Sequence, residues 1–152
     1  GDWGINRLIP DYYKSILNKK KLIIRQPNSI RPWQHVIFII KSINKFITHY
    51  NKKFISDFNI GPPKKNFYNV RKIINYLKEN SFKKPLIKYD DYNIFKEKKY
   101  LSLNSNKFYK VFKIKANANI KRDILFTDRV YKSIFSKNKK LIKIMSEQLE
   151  DY

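Results

Sequence analysis

The chain has 152 residues, no cysteine, two histidines and a formal net charge of +22. That length suits one ordinary domain or part of a larger one, and the cysteine count excludes disulfides and thiolate metal sites. A hydrophobic content of 42% excludes a disordered tail, while the longest apolar run, residues 36–40, is far too short to span a membrane.

In chain order, residues 8–17 read as a helix with Pro10 tolerated in its first turn and Ile9, Tyr13, Ile16 and Leu17 on one buried face. Leu22, Ile23 and Ile24 form a short strand, after which Arg31 stands in extended geometry before Pro32. A strong helix is predicted over residues 34–50, with Val36, Ile37, Ile40, Ile43 and Ile47 at helical spacing. Residues 58–60 read as a strand stopped by Gly61-Pro62-Pro63. Residues 69–77 form a helix capped by Asn69, with Val70, Ile73, Ile74 and Leu77 inward. Strands follow at 86–89 and 100–103, then helices at 104–112, 123–135 and 139–149. Asp123 lies in the first turn of its helix, where negative charge is favoured. Residues 51–53 and 137–140 read as solvated loops. The class is α/β, with too few long apolar strands for a complete doubly wound sheet. No internal repeat, second-domain linker or signal peptide is apparent. Three glycines, Gly1, Gly4 and Gly61, leave no room for G-x-G-x-x-G or a P-loop.

The charge points first to nucleic acid or an anionic surface. Only six of the 34 basic residues are Arg, however, and the lysines are spread along the whole chain. Base and phosphate readers favour the bidentate Arg fork. Ile, Asn, Lys, Tyr and Phe are abundant and share AT-rich codons, so the charge is read as compositional. Nucleic acid is not expected as a partner; a basic nucleic-acid-binding protein is the alternative from a different class.

Several stretches occur together in order: "GDW", "NRLIPD", "IRQPNSIRPWQHV", "FNIGP", "NSNK", "TDRVY" and "EQLEDY". In this order they resemble the C-terminal part of CDP-glucose 4,6-dehydratase, an extended short-chain dehydrogenase/reductase. The resemblance runs from residue 1 to 152, and Arg-Pro-Trp-Gln-His-Val is its most specific element. It implies a single substrate-binding region, residues 1–152, with the Rossmann portion that holds most of the NAD missing upstream. It also implies a cytoplasmic enzyme of deoxysugar and polysaccharide biosynthesis, dimeric at full length. In the family reaction, NAD takes hydride from C4 of the glucose of CDP-glucose, water leaves across C5 and C6, and hydride returns to C6. Another sugar-nucleotide dehydratase or epimerase is the alternative within the class.

Site residues follow from the resemblance one at a time. Arg31 matches the arginine that pairs with the diphosphate, where a guanidinium fork suits phosphate oxygens and the helix starting at Gln34 adds nearby amides. Arg7 and Leu8 match a basic-apolar pair at the nucleotide. Ile24, with Leu22, flanks the base, and Asn59 matches an asparagine contacting the nucleotide. Lys96 and Glu97 fall where the family often has His-Glu near the diphosphate. Asn104-Ser105-Asn106-Lys107 stands where the family has Asp-x-Ser-Lys, with Asn104 still able to cap. Trp33 and His35 are read as packing and structural hydrogen bonds. Convergence of Arg7, Ile24, Arg31 and Asn59 on one concave face is expected, as is a large exposed apolar patch. No catalytic or metal-ligating residue is assigned. Tyr68/Lys72, Tyr92/Lys96 and Tyr109/Lys113 spell Tyr-x-x-x-Lys, but roughly two such strings arise by chance in a chain this rich in Tyr and Lys.

Overall fold

The computed structural model describes residues 3–49, 57–90, 98–114, 119–137 and 140–152. Helix α1 (Leu8–Leu17) leads into strand β1 (Leu22–Ile24), then strand β2 (Ile30–Pro32) and helix α2 (Val36–Thr48). A 3-10 turn at Lys64–Asn66 precedes strand β3 (Phe67–Asn69), helix α3 (Val70–Asn80) and strand β4 (Ile87–Tyr89). Helices α4 (Asn106–Phe112), α5 (Ile120–Phe135) and α6 (Leu141–Asp151) complete the order. The class is α/β, as the alternation of helices and short strands predicts.

Two small sheets hold the described strands. β1 pairs in parallel with β4, placing Leu22 opposite Ile87 and Ile24 opposite Tyr89. β2 pairs antiparallel with β3, with Arg31 opposite Tyr68. Ile30 also bridges to Tyr100: its amide donates to Lys99 O at 2.8 Å and its carbonyl accepts from Leu101 N at 3.1 Å. The strand expected at 100–103 therefore reduces to one bridge, and residues 57–63 form no strand. Pro32 closes β2, where its missing N–H interrupts no ladder.

The core forms where α1, α3 and α5 meet β1. Tyr12, Tyr13, Leu22, Ile24, Ile73, Ile74, Leu77, Ile120, Ile124 and Tyr131 are all buried there. Tyr13 stacks on Tyr131 at 4.0 Å between centroids, and its hydroxyl donates to Asp128 at 3.0 Å. A parallel-stacked aromatic pair with a satisfied hydroxyl carries both area and direction. α1 buries Tyr12 and Tyr13 and packs Ile9 and Ile16 against the core, so the expected apolar face holds except at Leu17, which is exposed. A second aromatic cluster joins Phe46, Phe58, Phe108 and Phe112, with neighbouring centroids 4.9 to 6.1 Å apart. It fixes Phe58 by ring packing instead of by a sheet ladder.

Helix boundaries follow capping chemistry. The Asn69 side chain accepts from Lys72 N at 2.8 Å and starts α3 where the sequence reading places it. α5 begins a turn earlier than expected because Asn119 caps it, accepting from Arg122 N at 3.1 Å. α2 begins at Val36 instead of Gln34, because His35 is its cap. Asn104 Oδ1 accepts from Asn106 N at 3.1 Å at the entry to α4. The expected start of the last helix at Lys139 lies outside the described residues, as does the loop at 51–53.

Candidate functional site

Four sequence-predicted residues, Leu8, Leu22, Ile24 and Arg31, meet at one cavity of about 250 Å³. α1 contributes Leu8 and Asp11, and β1 contributes Leu22, Ile23 and Ile24. The turn after β1 adds Arg25, Gln26 and Ser29; β2 adds Arg31, and α3 adds Val70. Asn6 closes the rim with φ of 59°, a left-handed conformation that Asn tolerates better than most residues.

The order of elements explains the convergence. β1 runs out of the core into the turn at 25–29, which returns the chain as β2. Ser29 Oγ donates to Gln26 Oε1 at 2.9 Å, and Ser29 N donates to Gln26 O at 3.2 Å, fixing the turn. The first amides of α3 dock onto it: Val70 N donates to Ser29 O at 3.0 Å and Arg71 N to Pro27 O at 2.8 Å. The helix start bordering the cavity is therefore that of α3, not α2, and its leading amides are already engaged by the turn.

Arg31 is held by backbone. Its Nη1 donates to Ile30 O at 2.9 Å and to Lys98 O at 3.0 Å. Anchoring one end of a planar guanidinium fixes the direction of the whole fork. The adjoining Trp33 and His35 play the structural roles expected of them. Trp33 Nε1 donates to Tyr68 O at 2.9 Å, and Ile37 N donates to His35 Nδ1 at 3.3 Å. Burial, with a smaller contribution from Arg122, lowers the His35 pKa to about 4. The imidazole is thus neutral near pH 7 and able to accept at the cap.

Arg7 and Asn59 are not among the lining residues. Arg7 is exposed at the N-cap of α1, next to Leu8. Asn59 is exposed, and its Nδ2 donates to Asn104 O at 3.4 Å. Lys96 and Glu97 lie outside the described residues. Asp11, Arg25, Gln26 and Ser29 line the cavity without having been singled out in the sequence. Arg25 carried a usable signal, because it is the first charged residue past an apolar strand end.

The lining contains no Tyr, Lys, His or Cys, and its one hydroxyl, on Ser29, is engaged with Gln26 Oε1. The described Tyr-x-x-x-Lys strings are not part of the lining. Lys72 Nζ sits over the Tyr68 ring at 4.7 Å, a cation–π contact. The Tyr109 hydroxyl donates to Gly61 O, and Tyr92/Lys96 lies outside the described residues. Among the described residues there is no group of three metal-ligating side chains, and no helix long and apolar enough to cross a membrane.

No protein-family model matches the chain. Over 78 residues, 49% of its length, it is 37% identical to a CDP-glucose 4,6-dehydratase of Salmonella typhimurium, and the match covers 22% of that enzyme. Its structure is similar to that of a UDP-glucuronic acid 4-epimerase from Bacillus cereus in complex with UDP-glucuronic acid and NAD. The TM-score is 0.71 at 15% identity, covering 85% of this chain and 40% of that one. A mutant of that epimerase, in complex with UDP-4-deoxy-4-fluoro-glucuronic acid and NAD, gives a TM-score of 0.70 at 14% identity. The chain thus spans less than half the length of the relatives it matches. The resemblance to CDP-glucose 4,6-dehydratase holds over the matched stretch, and the fold is similar to that of part of the UDP-glucuronic acid 4-epimerase.

Among the described residues there is no glycine-rich loop of the kind that cradles the pyrophosphate of a nicotinamide dinucleotide. Gly61 is packed against the approach to α4, where a Cβ would clash with Leu103 Cδ2 and fall 3.1 Å from Ser105 Oγ. Close packing is its reason for being glycine.

Proposed function

We propose that this chain is the nucleotide-sugar-binding C-terminal part of a CDP-glucose 4,6-dehydratase, an NAD-dependent lyase. The observation that carries the proposal is the joining of Leu8, Ile24 and Arg31 at one cavity, in a chain 37% identical to such an enzyme over 78 residues. Arg31, steadied by two carbonyls, presents its fork to the diphosphate of CDP-glucose. Ile24 and Leu8 supply apolar surface for the nucleoside. Arg7, Asn59, Lys96 and Glu97 are assigned to the same ligand on the resemblance alone. The chain's share of catalysis is to bind and orient the hexose, which removes translational and rotational freedom before chemistry. NAD and the hydride and proton steps belong to a dinucleotide-binding portion of the enzyme, and the working enzyme is a cytoplasmic homodimer.

Calorimetric titration with CDP-glucose tests this reading, on the chain and on a chimera that joins it to the dinucleotide-binding half of a related dehydratase. Arg31→Ala should weaken binding by about 2–4 kcal/mol, because a partly buried diphosphate loses a bidentate, charge-assisted partner. Arg31→Lys should recover part of that, since an ammonium cannot form the fork. Equal affinity for the parent and Arg31→Ala would overturn the reading. Tighter binding of UDP-glucose than CDP-glucose would redirect it to another sugar-nucleotide enzyme.

A further inference from the structure

Two charged side chains line the cavity without satisfying each other. Arg25 stands at the end of β1 and Asp11 in the first turn of α1. Among the described residues, neither the Arg25 guanidinium nor the Asp11 carboxylate has a hydrogen-bond or ion-pair partner. Arg31 differs, since its Nη1 is engaged by Ile30 O and Lys98 O. The cavity therefore presents five unclaimed guanidinium donors and one carboxylate. Partner groups of opposite character would complete them: an anion rich in acceptors and a cluster of hydroxyl or amino donors.

A nucleoside diphosphate carries both on one molecule. Its phosphates are anionic acceptors, and its ribose hydroxyls and cytosine amine are neutral donors. We propose that Arg25 binds the diphosphate alongside Arg31, while Asp11 accepts from the hydroxyl or amino groups of the nucleoside, so that the two residues set the ligand's direction in the cavity. This assignment rests on the nucleotide-sugar reading above and adds two residues to it. A carboxylate in the same cavity repels phosphate, so a ligand entering backwards would place like charges together. Selectivity of this kind uses repulsion as well as attraction. Bidentate geometry favours Arg over Lys for the phosphate role.

The test is calorimetric titration of the 152-residue chain with inorganic pyrophosphate, CDP and cytidine, with circular dichroism recorded for each variant. Arg25→Ala should weaken CDP and pyrophosphate about tenfold or more, as expected for losing hydrogen bonds to a charged group, and leave cytidine unchanged. Arg25→Lys should fall between parent and Arg25→Ala. Asp11→Asn should act with opposite signs, tightening pyrophosphate by relief of repulsion and weakening cytidine by loss of an anionic acceptor. Both Arg25→Lys and Asp11→Asn nearly preserve size, so they stand in if Arg25→Ala loses its helical signal. Lys143→Ala on α6 is the control for nonspecific charge.

The proposal is overturned if Arg25→Ala matches Lys143→Ala with pyrophosphate. It is also overturned if Asp11→Asn shifts pyrophosphate and cytidine in the same direction. Failure of the nucleotide-sugar reading looks different: the parent would then bind CDP no more tightly than pyrophosphate, whatever the variants do. A parent that binds none of the three probes overturns both.

Discussion

Asp123 is only 3% exposed, and neither of its carboxylate oxygens has a partner in hydrogen-bond geometry. Arg122 Nη2 stands 3.9 Å from Oδ1, too far to satisfy it. Burial raises the Asp123 pKa from 3.8 to about 6, against smaller opposing contributions from Arg122, the Tyr152 hydroxyl and the His35 backbone. His35, whose ring stacks 5.7 Å from that of Tyr152, moves the other way, from 6.5 to about 4. The two shifts give stability slopes of opposite sign. A raised value on Asp123 means the native state holds the proton more tightly, so its contribution is present below pH 3.8 and lost as pH rises to about 6. A lowered value on His35 gives a contribution present above pH 6.5 and lost as pH falls to about 4. The parent should therefore show a nearly flat profile between these limits. Asp123→Asn should leave the His35 slope alone, with stability rising with pH. It should also gain on the order of 2 kcal/mol at neutral pH, where the buried carboxylate would otherwise be charged. His35→Asn keeps a capping side chain and should leave the Asp123 slope, with stability falling with pH. Urea denaturation across the window checks this, and profiles of the same sign in both variants would refute it. The sequence made Asp123 legible as a first-turn acid and His35 as structural. Its burial was not legible, because the covering groups come from residues 35 and 152.

Helix α2 divides its apolar residues between two directions. Ile37 and Phe38 are buried, while Val36, Ile40, Ile43 and Ile47 are 61%, 51%, 46% and 65% exposed. The exposed four recur at helical spacing and form one stripe, in line with the expected apolar patch. Periodicity detects such a stripe but carries no information about which neighbour, if any, covers it. The same limit explains β2 and β3, three-residue strands with no periodic signal of their own. Arg31 pairs with Tyr68, so pairing across that distance, not local propensity, makes both strands. Conversely, α1 and the start of α3 were legible to the residue, because a proline-tolerant first turn and an Asn cap are local signals, whereas α3 runs three residues past its expected end. At the cavity, Leu8, Ile24 and Arg31 come from the quoted motifs and Arg25 carried a local signal at the strand end, whereas Asp11 joins them only because α1 and β1 lie side by side. Substitution separates the two sides of α2. Ile40→Lys and Ile47→Lys should lower binding of a hydrophobic dye and change stability by less than about 0.5 kcal/mol, as surface changes do. Ile37→Ala should cost about 2–4 kcal/mol through the cavity it leaves. Dye fluorescence and chemical denaturation measure the two quantities, and equal losses on both sides would contradict the division.

At the scale of the whole molecule, the net charge of +22 governs behaviour that no single contact does. Exposed lysines occur on α2 to α6, among them Lys41, Lys72, Lys107, Lys121 and Lys143, so repulsion is shared among many elements. A compact state of high net charge is destabilised by self-repulsion. Screening relieves it: raising the ionic strength from about 0.01 to about 0.1 M shortens the Debye length from about 30 to about 10 Å. The melting midpoint should therefore rise with sodium chloride, by roughly 2–4 °C for each kcal/mol recovered in a chain of this size. Anion binding at Arg31 should respond in the opposite sense, because the same screening weakens attraction between the protein's field and a diphosphate. Salt is thus expected to stabilise the fold while loosening CDP-glucose. Scanning calorimetry and titration over one salt series distinguish this from a simple dependence of binding on folding. If binding were limited by the fraction folded, both quantities would rise together, and if the midpoint fell with added salt, self-repulsion would not be the dominant charge effect in this molecule.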